Sequence, residues 1–228
     1  MKTITIAIDG FSSTGKSTLA KQLAQHLGYV YVDTGAMYRA ITFFAMQNGY
    51  ISNDFFDKET LINALPSIKL HFEFSVELGF AEMFLNNTNV EKEIRTLEVS
   101  NFVSKVAEVS EVRSKLVEQQ KEMGKNKAIV MDGRDIGTVV FPDAELKIFM
   151  TASAETRAQR RFDELEAKGD EVTYEEVLEN VQKRDYIDTH REDSPLVMAN
   201  DAIEIDNSYL NKEEQFKVVL ELVEEVLL

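Results

Sequence analysis

The chain contains no cysteine. Disulfide scaffolds, cysteine nucleophiles and thiolate metal sites are therefore excluded. Proline is scarce, at 3 residues in 228, so there is little rigid linker material. No apolar run approaches the roughly 18 residues of a membrane span. The N-terminal run Ile4–Ile8 is too short for a signal peptide. These absences lead us to expect a cytoplasmic protein with no membrane partner. Positive charge is also in short supply: 25 Lys+Arg stand against 40 Asp+Glu, a formal charge of −15. Such a surface repels polyanions and argues against binding a nucleic acid polymer. What is present, 44% hydrophobic and 29% charged residues, suits a folded globular chain.

Short β-branched runs alternate with helical periodicity. Ile4–Ile8, Tyr29–Val32, Ala128–Met131, Leu146–Met150 and Ala202–Ile205 read as five strands. A helix with Leu19, Leu23 and Leu27 on one face starts near Lys16 and stops at Gly28. Others are expected over 36–47, 97–123, 154–168, 174–187 and 211–227. The alternation implies an α/β fold, a parallel sheet covered on both faces. One segment breaks the rhythm. Ile68, Leu70, Phe72 and Phe74 alternate with polar residues, and Ala81–Leu85 closed by Asn86-Asn87 reads as a partner strand and its turn. This is an antiparallel insert.

Gly10-Phe11-Ser12-Ser13-Thr14-Gly15-Lys16-Ser17 fits G-x-x-x-x-G-K-[ST], after a strand and opening a helix. Backbone amides of such a loop point inward at phosphate oxygens, and the helix N-terminus adds partial positive charge. The ATP-binding set is thus Gly10, Phe11, Ser12, Ser13, Thr14, Gly15, Lys16, Ser17 and Thr18. Lys16 is expected to reach the β- and γ-phosphates and Ser17 to ligate Mg²⁺. Asp132, closing a strand, is the candidate second metal residue, acting through water. Five of the nine arginines lie between 157 and 191, which suggests handling of several phosphates. Helix-surface ion pairing, for Arg157 or Arg161, is the alternative.

These residues resemble the bacterial-type cytidylate kinase family over nearly the full chain. The resemblance rests on the loop, Asp33-Thr34-Gly35-Ala36-Met37-Tyr38-Arg39, Glu93–Thr96, Asp132-Gly133-Arg134-Asp135 through Phe141-Pro142-Asp143-Ala144, and Arg184-Asp185 through Leu196. It implies a three-layer P-loop kinase fold: one domain over 1–228, with core 1–35, 96–154 and 174–228, monophosphate-binding region 36–95 and helical lid 155–173. It implies transfer of the γ-phosphate of ATP to CMP or dCMP with Mg²⁺. By the same resemblance Thr34, Arg39, Arg134 and Arg191 meet the acceptor phosphate, and Ser104, Arg113 and Asp135 meet cytosine. Arg184 and Asp188 hold the sugar, and Lys16, Arg134, Arg157, Arg160, Arg161 and Arg191 are the catalytic cations. Arg95 is left between structural support and acceptor contact. The loop departs from the family's commoner Pro-Ala-Gly at 11–13, and Ser13 is read as a position needing no positive φ.

A GTP-dependent switch protein would carry Asn-Lys-x-Asp. The Asn-Lys pairs at 126 and 211 lack that Asp. A P-loop kinase for UMP or another small acceptor is the nearer rival. No feature marks an assembly interface, so a monomer is expected.

Overall fold

A computed structural model describes residues 2–77 and 79–228. Among them, β1 (Thr5–Gly10), α1 (Lys16–Leu27), β2 (Val30–Asp33), α2 (Thr34–Gln47), α3 (Lys58–Ala64), β3 (Leu70–Ser75), β4 (Phe80–Leu85) and β5 (Thr88–Asn89) follow in order. Then come α4 (Leu97–Ala107), α5 (Ser110–Met123), β6 (Ile129–Gly133), β7 (Leu146–Thr151), α6 (Ala154–Ala167), α7 (Tyr174–His190), β8 (Ile203–Asp206) and α8 (Lys212–Leu227). No helix among the described residues is long and apolar enough to cross a membrane. The chain forms two compact units, Met1–Asp33 with Gln120–Leu228, and Thr34–Gln119.

The first unit holds a five-stranded sheet in the order β2-β6-β1-β7-β8, with every pair parallel. All residues of β1 and β6 are buried, which is why both read as continuous apolar runs. Ile4, Ile6 and Ile8 pack with Leu19 and Leu23 of α1 and with Val219 and Val223 of α8. Because the strands are parallel, Asp9-Gly10, Asp33, Asp132-Gly133 and Asp206 all finish at one edge. Ligands bind at this carboxyl edge in open α/β sheets. Capping boxes fix where α7 and α8 begin: Thr173 with Glu176, and Asn211 with Glu214.

In the second unit, Met37 and Ile41 of α2 pack with Leu61, Met83, Ile94 and Leu116. Its three-stranded sheet runs β3-β4-β5. The antiparallel insert is thus present, with a third strand, too short to leave a pattern, that Asn86-Asn87 introduces. Both asparagines have positive φ, 48° and 67°, as a two-residue hairpin turn demands. The alternation of the insert fades toward its tip: Leu70 is buried but Phe74 is 68% exposed. Arg95 gives its Nε and Nη2 to Glu91 Oε1 at 2.9 and 2.6 Å, and Glu91 Oε2 accepts the Met83 amide. It therefore ties the short helical turn before α4 to the insert.

Two expectations need correction. The helix expected over 97–123 is broken at Glu108-Val109 into α4 and α5. The break leaves the Ala107 carbonyl for the Arg113 guanidinium, which donates to it at 3.1 Å. Ser13 does take a positive φ, 58°. The loop needs a left-handed residue there, and serine tolerates it at a cost of about 1–2 kcal/mol. Gly10 has φ 139°, and a Cβ on it would lie 2.0 Å from the Met150 carbonyl oxygen of β7.

Asp9 secures the turn that follows β6. Its buried carboxylate accepts the amides of Ile136 (2.8 Å) and Gly137 (2.7 Å), which open a π-helical turn over Ile136–Val140. Burial raises its pKa from 3.8 to about 6, although these two hydrogen bonds oppose the rise.

Ser13→Gly should therefore stabilise the fold by up to about 1 kcal/mol, and Gly10→Ala should destabilise it by about 2–3 kcal/mol or more; urea unfolding midpoints decide both. The folded state holds the Asp9 proton more tightly than the unfolded chain, so this stabilising contribution is complete below about pH 4 and lost as pH rises through about 6. Relative to the parent, Asp9→Asn should gain about 2 kcal/mol between pH 4 and pH 7. A stability gap that does not change with pH would contradict this.

Candidate active site

Strand β1 delivers the phosphate loop to the carboxyl edge and α1 leaves from it. Gly15 caps α1 at φ 92° with no side-chain hydrogen bond. The first amides of α1 therefore have no side-chain cap, as an anion site requires. Lys16 is buried and folds back over the loop, donating to the Phe11 carbonyl and, at 3.2 Å, to Thr14 Oγ1. Burial, reinforced by the nearby positive charge of Arg134, lowers the Lys16 amine well below the ordinary lysine range. Ser12 Oγ is buried without a hydrogen-bond partner. It is a donor suited to a phosphate oxygen.

Beside the loop, Ser17 Oγ donates to Asp132 Oδ2 at 2.8 Å, and Tyr31 Oη donates to Asp132 Oδ1 at 2.8 Å. Asp33 sits opposite Asp132 in the β2–β6 register. Burial, then the Asp33 charge, raises the Asp132 carboxyl. A hydroxyl beside two carboxylates is an oxygen donor set that fits a hard divalent cation such as Mg²⁺.

Arg184 and Asp188 of α7 are spaced four apart and so share one face, and Arg191 is the extended residue that caps the helix at its C-terminus. Arg134 Nε donates to Asp188 Oδ2 at 2.8 Å. Arg191 approaches Asp188 Oδ1 at 3.9 Å and gives its Nε and Nη2 to the Ser194 carbonyl at 2.8 and 2.6 Å. Burial would raise the Asp188 carboxyl, but Arg134, Arg184 and Arg191 together hold it below the usual range. Burial likewise works against the Arg134 cation, and Asp188, with Asp185 and Asp132, more than compensates.

Two of the three arginines expected at the start of the lid, Arg157 and Arg160, are tied to the phosphate loop. Arg157, buried, donates to the Ala152 carbonyl at 2.8 Å and forks onto Asp185 at 2.9 and 2.6 Å. It also reaches the Ser12 carbonyl at 3.4 Å and stacks 5.1 Å from the Phe11 ring. Arg160 donates to Asn207 Oδ1 at 3.0 Å and to the Asn207 carbonyl at 2.8 Å. Asn207, buried, passes the connection on, donating to the Thr14 carbonyl and to Gln215 Oε1. Arg161 pairs with Glu164 at 2.9 Å, the surface pairing that helix spacing allows.

Of the remaining expected acceptor residues, Asp135 lies buried just after β6 in the first unit, and the others belong to the second unit. Thr34, buried, opens α2, and Arg39 lies in its second turn, half-buried. Ser104 is buried on α4. Arg113 on α5 is buried and lies 5.6 Å over the Tyr38 ring. Together with the Ala107 carbonyl, this ring fixes the guanidinium plane.

Sequence reasoning missed Tyr31, Asp33, Asp185, Asn207 and Gln215. Asp33 and Asp185 stand inside the quoted motifs and could have been singled out. Asn207 and its loop partner are 193 residues apart, with no local signal.

The family description "Cytidylate kinase" matches residues 6–225. A cytidylate kinase of Flavobacterium johnsoniae is 81% identical over 227 residues, covering 100% of this chain and 99% of that protein. One from Flavobacterium psychrophilum is 74% identical over 226 residues, covering 99% and 100%. Among solved structures, an uncharacterized protein from Eubacterium ventriosum shares the fold, with TM-score 0.51 at 12% identity, covering 98% of this chain and 99% of that one. A family match of this extent, over a sheet edge that carries the phosphate loop and its arginines, establishes that the chain belongs to the cytidylate kinase family.

Proposed function

We propose that this kinase passes the γ-phosphoryl group of ATP directly, in line, to the phosphate of CMP or dCMP. The observation that carries the reading is the joint placement, at one sheet edge, of Lys16 and Ser17 with buried Asp132 and the Arg134–Asp188 pair. Ser17 and Asp132 would hold Mg²⁺, which when bound screens the charge on the phosphate oxygens. Lys16 takes the β- and γ-phosphates of ATP, cradled by residues 10–18. The acceptor is a phosphate monoester with a second pKa of about 6. It is therefore mostly dianionic at neutral pH, and no general base is required. The residues have to bring two polyanions together.

Thr34, Arg39, Arg134 and Arg191 bind the acceptor's phosphate in this reading. Arg184 and Asp188 bind its sugar, which suits their shared face on α7. Asp135 accepts the N4 amine of cytosine, while Arg113 donates to N3 and O2 and Ser104 assists. Uracil reverses donor and acceptor at two positions and would leave buried groups unpaired. Arg157 and Arg160 act on the phosphoryl group chiefly through the loop they brace, and Arg161 supplies further positive charge. Residues 155–173 form a lid that closes over ATP and excludes water, hinged at Gly169, whose φ is 84°.

A coupled assay with CMP, dCMP, UMP and AMP tests the substrate assignment. CMP or dCMP should exceed UMP in kcat/KM by about two orders of magnitude or more, and equal use of UMP would refute the cytosine contacts. ATP consumption without acceptor should be far slower than transfer; comparable rates would refute a closure-gated site. Lys16→Met should lower kcat by about 10²–10³-fold, the order lost when one donor to developing charge is removed. An unchanged kcat would remove Lys16 from the transfer step.

A further inference from the structure

Asp9 belongs to neither set of substrate contacts, yet it connects them. It immediately precedes Gly10 of the phosphate loop, on the central strand β1. Its two carboxylate oxygens take the amides of Ile136 and Gly137, 127 and 128 residues further along the chain. Those amides open a turn of five residues, too short to supply acceptors for its own first N–H groups. Asp135, next to the turn, has φ −147° and ψ 26°, and its carbonyl accepts from Val139 and Val140 at 2.9 and 3.2 Å. Any shift of the turn would therefore be passed to Asp135 and to its neighbour Arg134.

Gly137 is held on two sides. A Cβ built on it would lie 3.2 Å from Lys147 Cδ and 3.4 Å from Asp9 Oδ2. Lys147 is itself fixed, donating to Asp201 at 2.8 and 2.9 Å and to the Pro142 carbonyl. The charged groups bearing on Asp9 are Asp135 and Lys16, with the Lys147 stem across the glycine. A carboxylate that keeps a raised pKa in the folded state is a poor choice for stability alone.

We propose that Asp9 is a positioning residue for base recognition: from the strand that carries the phosphate loop, it sets the backbone that aims Asp135 and Arg134 at the acceptor. The proposal deepens the substrate reading above and rests on the contact of Asp135 with cytosine.

The experiment compares the parent, Asp9→Asn and Gly137→Ala in steady-state transfer to CMP and to UMP. Asparagine can accept only one of the two amides, leaving a buried N–H facing a second donor. kcat/KM for CMP should fall about 10- to 100-fold, UMP should lose less, and the CMP-to-UMP ratio should drop. KM for ATP should stay within about threefold, since the loop's own amides and Lys16 are intact. Gly137→Ala moves the same turn while leaving the Asp9 carboxylate in place, and should reduce the ratio in the same direction. If Asp9→Asn fails to fold, the Gly137→Ala ratio decides. A ratio equal to the parent's in a folded variant, with both acceptors losing activity alike, would overturn the proposal and leave Asp9 a structural residue. If the parent itself shows no preference for CMP over UMP, it is the cytosine assignment that fails.

Discussion

Charge taken out of water is the constraint on which the rest of this structure depends. The chain carries a formal −15, yet Lys16, Arg157 and Arg191 are buried in its first unit and Arg113 in its second. Each buried cation must meet compensating oxygen atoms nearby, because an isolated buried ion is costly by several kcal/mol. Asp132 and Asp9 serve Lys16, Asp185 serves Arg157, and Asp188 serves Arg134 and Arg191. Apolar residues of similar volume would often stabilise a fold as well as such pairs do. The proposed phosphoryl transfer supplies the reason for keeping the charges.

The arginines share this work unequally. Arg157 makes a fork with Asp185 and meets Ser12 and Phe11. A guanidinium engaged on all these sides holds the loop in place and has little freedom left to swing. Arg160 does the same at one remove, through Asn207 to the Thr14 carbonyl. Preorganisation of this sort lets a site stabilise transferred charge without rearranging during the reaction.

Much of this was legible in the sequence because the signals are local. The phosphate loop is a short motif in a strand-to-helix context, and fully buried parallel strands leave unmistakable apolar runs. The features that escaped depend on partners far away in the chain. Glu108-Val109 contains no helix breaker, and α4 ends there where a carbonyl is left for Arg113. The positive φ of Ser13 is imposed by the loop and carried by a residue that does not advertise it. Asp9 could be read only as the end of a strand until its two amide partners were seen.

The most direct measurement follows the Lys16 side-chain nitrogen by NMR through a pH titration, with and without magnesium ATP. The account predicts a free amine well below the ordinary lysine range, raised when the polyphosphate supplies the opposite charge. An ordinary value in the free protein, or a depressed one that ATP leaves unchanged, would contradict it.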